Sequence, residues 1–387
     1  LAIAWPQRWR DAKPYATALA IFFSSRLVVL LGVNAGAIYL PLWKTDLWQS
    51  GTHWYDHLLR WDSEWYAGIA AHGYYYDGNP DDLQPVGFYP LYPLIARGVA
   101  WLGVSPAVAL LLVANVAAVL AVLVFFHYVR RRFGDDTAIL AVAFLSFYPG
   151  SLFLSAGYTE PLALLLILCF FWCCGERYYL AAAVCAGFAA GTRSTGIVLF
   201  PVLMWELWLR FGNERARFVA VAAVLGVVAT AGLWLYMTYL GFAFGHPLAF
   251  AEEQVAFNGG SSLGQRFVGA LTLQPFQRLR FTDFSPAGWD QWFFLLFVAL
   301  TVLAWRRLAV SLALVTLGVL MLPYLTLSGG PAGFTSMTRF SVLAFPGFII
   351  LAQLCGAVPW LVMAVIGLFA AVLGLDAALF GQWYWVG

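Results

Sequence analysis

Charge is what this sequence has least of. Asp, Glu, Lys and Arg make up 10% of the 387 residues, against roughly 25% in an ordinary soluble domain. Hydrophobic residues reach 62% and mean hydropathy is +0.79. That balance excludes a soluble fold. Apolar runs of about 20 residues recur from end to end and read as membrane-spanning helices. With a net charge of only +2, no nucleic-acid partner is expected. Cysteine is also scarce: Cys169, Cys173, Cys174, Cys185 and Cys355 are odd in number and all lie in apolar segments. No disulfide framework follows. The run "CFFWCC" lacks the partner ligands of a zinc site, so the thiols read as buried and inert and no metal site is expected. No repeat, low-complexity tract, separate soluble domain or cleavable signal sequence is evident, and residues 1–387 read as one transmembrane domain.

The few charges are unevenly placed. Basic clusters stand at Arg8, Arg10 and Lys13, at Arg130–Arg132, at Arg177, at Arg210, Arg215 and Arg217, and at Arg306–Arg307. By the positive-inside rule these mark cytoplasmic ends. Most acids fall in the other loops, chiefly 41–88 and 241–290. Crossings are predicted at 16–40, 106–129, 137–154, 160–175, two within 178–209, then 218–240, 291–305, 308–327, 340–356 and 358–380. The result is an all-α polytopic protein of about eleven spans. Its N-terminus is expected inside and its C-terminus outside, with a first outer loop at 41–105 and a second at 241–290. The Pro-broken "FYPLYPLIARGVAWLG" (88–103) reads as interfacial, since a crossing there would put Arg130–Arg132 outside.

Residues 58–82 are unusual in this setting, carrying five acids: Asp62, Glu64, Asp77, Asp81 and Asp82. "DSEWYAGIAAHG" has the punctuation of a short helix, with Asp62 suited to the N-cap, Glu64 to the first turn and Gly73 to the C-terminal cap. Ten residues reach about 15 Å, too short to span. Trp61, Trp65 and Ile69 share one face and predict a helix lying on the outer membrane surface. "YYYDGNPDD" reads as a polar turn. Arg26, Arg193 and Arg339 are charges at depths where charge is costly, and so are functional candidates. Snorkelling or a structural ion pair is the competing reading for each. Glu160 begins a span and suits either a helix start or a site. His72 is a candidate substrate contact beside a local structural role. Arginines suit a phosphate, which they grip bidentately, and a carboxylate beside them suits a general base.

These residues also carry a resemblance. "RWDSEWYAGIAAHGY" (60–74) followed by "GFYPLYPL" (87–94) resembles the phosphatidylinositol-glycan class V mannosyltransferases and their bacterial homologues. "YTEPLALLL" (158–166), "GTRSTGIVL" (191–199) and "TRFSVLAFPGFI" (338–349) are similar to later motifs of that family, in the same order. Two positions depart: Trp65 stands where eukaryotic members are expected to carry histidine, and Thr195 replaces a motif asparagine. The resemblance implies the GT-C glycosyltransferase fold and a polyprenyl- or dolichyl-phosphate mannose donor. No cofactor is required if arginines supply the positive charge, and a divalent metal stays open as an alternative. The resemblance also implies an outer-face acceptor (glycolipid, glycan or protein), inversion at the anomeric carbon, and an integral position in a bacterial inner membrane or the endoplasmic reticulum. Asp62 matches the catalytic Asp of the family's first outer loop. Arg193 and Arg339 match motif arginines and are expected to hold the donor phosphate. Glu64, Glu160, Tyr158, His72 and Arg26 complete the expected substrate contacts. A transporter or lipid flippase, and a non-catalytic subunit that keeps the fold, are the competing readings.

Overall fold

The structure is a computed structural model, and it describes residues 7–43, 53–79, 82–257, 260–277, 286–328 and 333–386. It begins with the long helix α1 (Gln7–Tyr39), followed by two short helices, α2 (Asp62–His72) and α3 (Leu91–Ala100). Then come α4 (Pro106–Phe133), α5 (Asp135–Phe147), α6 (Glu160–Gly175), α7 (Tyr179–Thr192), α8 (Leu199–Phe211) and α9 (Arg215–Phe244). Four small helices follow: α10 (Ala249–Glu252), α11 (Gln254–Phe257), α12 (Leu263–Leu271) and α13 (Gln274–Gln277). The chain closes with α14 (Pro286–Arg307), α15 (Val310–Pro323), α16 (Met337–Ser341), α17 (Phe345–Cys355) and α18 (Pro359–Gly381). No strand occurs among the described residues.

Seven helices among the described residues are long and apolar enough to cross a bilayer, and α6, α7 and α17 are shorter apolar ones. Together with α5, which continues into the 3₁₀ turn Pro149–Leu154, they occupy the eleven predicted positions. The division within 178–209 falls where expected, with α7 ending at Thr192 just before Arg193. Punctuation follows local chemistry. Ser105 caps α4 by accepting from the Val108 amide, with Pro106 in the first turn. Gly245, at φ +75°, closes α9. α3 is too short to span and packs on α2 and α4.

Close helix approach fixes part of the frame. Gly187 and Gly191 on α7 meet Gly232 on α9. A Cβ at Gly232 would stand 2.2 Å from the Gly187 carbonyl oxygen and 2.3 Å from the Gly191 nitrogen. Small residues four apart let membrane helices touch backbone to backbone, where dispersion and packing hold them. Because α7 ends beside Arg193, this crossing also sets an arginine of the site described below. Gly232→Leu is expected to push the helices apart at a cost of about 1–3 kcal/mol. Thermal unfolding of the purified variant should show a lowered Tm; an unchanged Tm would mean that the contact is not tight.

The helix predicted at 62–72 exists but sits differently. Its buried residues are Ser63, Tyr66, Ile69 and Ala70, so the buried face is not the predicted Trp61–Trp65–Ile69 stripe. It lies against protein: Arg97 of α3 donates from Nε to the Ala70 carbonyl (2.7 Å) and from Nη2 to the Ile69 carbonyl (2.6 Å). Arg97 thereby satisfies carbonyls that the end of α2 leaves open. Trp65 stacks on Phe88 and meets the edge of Phe257. The predicted polar turn is present. The Asn79 amide donates to Asp77 Oδ1 (2.8 Å) and the Asn79 side chain to Asp82 Oδ2 (2.8 Å), while Pro80 and Asp81 lie outside the described residues.

Candidate active site

Asp62 does not cap α2. Trp61 occupies that position with φ +57°, and no side-chain capping bond forms. A bulky residue in this conformation costs on the order of 1–3 kcal/mol. Trp61 is held there by edge-on contacts with Trp383 and Trp385. Asp62 is left as the first helical residue, and its carboxylate is engaged by Arg339, whose Nη1 donates to Oδ2 at 2.6 Å. No described residue engages Oδ1.

Arg339 sits on α16, which Ser336 introduces in the left-handed region (φ +57°). Asp290, at the start of α14, accepts from the Thr338 amide (2.7 Å) and so anchors the turn that carries Arg339. Nε of Arg339 donates to Glu160 Oε1, and the guanidinium lies over the Tyr158 ring, 4.5 Å from its centroid. Burial alone would lower the pKa of Arg339; Glu160 and Asp62 raise it instead, and the group stays charged. Arg193 completes the chain with Nη1 2.7 Å from the same Glu160 oxygen and its guanidinium over Phe340. Arg193 reaches in because it leaves the end of α7 in extended backbone.

The result is an alternating relay of acid, base, acid, base: Asp62, Arg339, Glu160, Arg193. Glu160 is fully buried, whereas the Asp62 side chain is 22% exposed. A substrate can therefore reach one carboxylate and not the other. Asp62, Arg193 and Arg339 line one cavity of about 320 Å³, within the range of small-ligand sites. Its walls come from segments far apart in sequence: Tyr66 and Phe88, Gln254 and Arg266, Pro323 and Thr326, and Trp385. At Tyr324–Ser328 the α15 helix widens into a π turn, a distortion common beside functional sites. Among the described residues no three His, Cys, Asp or Glu side chains gather as a metal site would require.

Five expected contacts fall elsewhere. Tyr158 is buried under Arg339, and its hydroxyl donates to the Arg60 carbonyl (3.2 Å), so it supports the site from behind. Glu160 is likewise internal. Arg26 does not reach the cavity. Its Nη1 donates to the Ser151 carbonyl (2.6 Å) and Ser155 Oγ (2.9 Å), and its Nη2 to the Ser146 carbonyl (2.8 Å). It ties α1 to the Pro149–Leu154 turn ahead of Glu160, and carbonyls and hydroxyls solvate its charge. Glu64 does not line the cavity, and burial raises its pKa to about 8, against the opposing pull of Arg60. His72 is exposed at the end of α2. Two further residues escaped sequence reasoning, Asp290 and Arg266, because single charges in a helix start and a polar loop carry no distinguishing signal.

Comparison with known proteins gives the family. Residues 45–250 match the family model described as Mannosyltransferase (PIG-V), a region holding Asp62, Glu160 and Arg193. GPI mannosyltransferase 2 of Cryptococcus neoformans var. neoformans is 32% identical over 154 residues, 38% of this chain and 36% of that protein. The protein of the same name from Drosophila pseudoobscura is 34% identical over 115 residues, 27% of this chain and 24% of that one. The matches thus span about a third or less of these relatives' length. Two structures of the Archaeoglobus fulgidus oligosaccharyltransferase are similar at 14% and 13% identity, with TM-scores of 0.47 and 0.49. They cover 94% and 96% of this chain and 53% and 55% of theirs. The hydrophobic helices and the family model, which matches more than half of the sequence, place the chain among integral membrane proteins and in the PIG-V mannosyltransferase family.

Proposed function

We propose that this protein is an integral-membrane glycosyltransferase that moves a sugar, mannose by family, from a polyprenyl-phosphate donor to an acceptor hydroxyl. The observation that carries the reading is the ion-pair relay, with Asp62 as its accessible end on the cavity. Asp62 takes the proton of the acceptor hydroxyl as that oxygen bonds to the anomeric carbon. The bond from the anomeric carbon to the phosphate oxygen breaks, and its electron pair leaves with the phosphate. Attack opposite the leaving group inverts the configuration. Arginines on the cavity wall stabilise the growing negative charge. Their pairing with Glu160 keeps them charged and oriented before substrate arrives.

The direction of the helices supports a site on the outer or lumenal side. α6 starts at Glu160 and ends beside Arg131, which pairs with Glu176 (3.2 Å). α8 follows Arg193 and ends at Arg210–Phe211; α14 starts near Asp290 and ends at Arg306–Arg307. Three helices therefore leave the site and finish in basic clusters, the cytoplasmic signature. The described parts of 41–105 and 241–290 then lie on the site's face.

Reconstitution in liposomes with radiolabelled polyprenyl-phosphate mannose tests the reading. Transfer of label to an acceptor, with inverted anomeric configuration by NMR, is expected. Movement of the intact donor between leaflets without release of polyprenyl phosphate would replace the enzyme by a flippase.

A further inference from the structure

The two arginines that the family motifs supply are already paired with acids, although Arg193 Nε, like Arg266 Nε, is buried without a hydrogen-bond acceptor. Arg193 and Arg339 share Glu160, and Arg339 also holds Asp62. Two carboxylates thus balance two guanidinium groups. A third arginine lines the same cavity: Arg266 of α12, which is 1% exposed. Its Nη1 donates to the carbonyls of Gln254 (3.0 Å) and Ser261 (2.6 Å), while Nε is buried without an acceptor. Among the described residues no acid pairs with it, and burial lowers its pKa. Glu253, next to Gln254, turns to the Gln84 amide instead (2.5 Å). The position of Arg266 is built rather than incidental. Ser262 and Gln265 cap α12 reciprocally, and Tyr324, the first residue of the π turn, donates to the Ala270 carbonyl (3.0 Å).

Resting on the transferase reading above, we infer that Arg266 is the principal ligand of the donor's phosphate, and that Arg193 and Arg339 chiefly hold Asp62 and Glu160 in place. Among the described residues, three arginines against two carboxylates leave the cavity one positive charge in excess. The sugar donor is a phosphodiester and brings one negative charge, which closes the balance. When the acceptor proton passes to Asp62, the departing lipid phosphate gains a second negative charge, and the balance closes again. A burial that would be costly for a lone cation becomes favourable once phosphate fills the place of the missing acid.

The test is binding of citronellyl phosphate, a short prenyl phosphate, to the purified full chain in detergent. Citronellol and inorganic phosphate serve as comparison ligands. The wild type is expected to bind citronellyl phosphate and not citronellol, with inorganic phosphate a weak competitor. Arg266→Gln should weaken binding at least tenfold, and Arg266→Lys, which keeps the charge but loses the fork, by less. The Lys variant also serves if the Gln variant does not fold. Unchanged binding in the Arg266 variants, with loss on Arg193→Gln, would assign the phosphate to the relay and overturn this inference alone. Equal binding of citronellol and citronellyl phosphate by the wild type would remove the phosphate site and the donor reading with it. Tight binding of inorganic phosphate would identify a free anion as the ligand.

Discussion

Replacing Asp62 with Asn is expected to reduce sugar transfer about 100- to 10,000-fold, the contribution typical of a positioned general base, while leaving the fold in place. The amide keeps an oxygen for Arg339 Nη1, now 2.6 Å from Oδ2, and Arg339 keeps its bond to Glu160. What is lost is the proton acceptor. Asp62 is partly exposed and Arg339 keeps Glu160, so water softens the loss of this one carboxylate. The Tm should therefore fall by only a few °C, about 1–2 kcal/mol in a chain of this size, and by less than in Glu160→Gln. Asp62→Glu keeps the carboxylate but shifts it by a methylene, so partial activity is expected. Transfer from radiolabelled lipid-linked mannose, alongside thermal unfolding, checks all three expectations. A wild-type rate in the Asn variant would remove Asp62 from the chemistry.

The same residue shows how far sequence reasoning reaches. The eleven apolar segments were legible because the bilayer imposes a length and a composition on each, and no distant partner is needed to read them. α2 was legible as a helix for a similar local reason. Its start was misplaced by one residue because Trp61 is forced into φ +57° by Trp383 and Trp385, more than 300 residues away. Its buried face was misassigned because α3 and α4, not lipid, cover it. Arg26 and Arg193 are both charges in apolar surroundings, and in sequence only the motif match set Arg193 apart. The difference lies in partners: carbonyls and hydroxyls at 146–155 for one, Glu160 for the other. Arg266 and Asp290 sit among other polar or terminal residues, and only the folded chain brings them to the cavity and to α16.

Glu160 carries the opposite expectation to Asp62. It lies at the centre of the relay, fully buried, with Oε1 facing both Arg193 and Arg339. Glu160→Gln removes one negative charge from between two buried guanidinium groups and leaves Asp62 as their only acid. Breaking a buried pair by removing one partner costs about 3–5 kcal/mol, because the remaining charge keeps its desolvation penalty without its compensation. Two arginines lose here at once. They would repel each other across a medium of low dielectric, and the turn carrying Arg339 would be pushed off Tyr158. The variant is therefore expected to unfold at a much lower temperature and to lose activity in parallel, whereas Asp62→Asn loses activity with only a small fall in Tm. Glu160→Asp retains the charge but shortens the reach, and should recover more stability than activity. The decisive measurement is Tm against transfer rate for the three variants. If Glu160→Gln unfolds like the wild type, the buried relay is not what holds the arginines, and the division between a reacting acid and a structural acid fails.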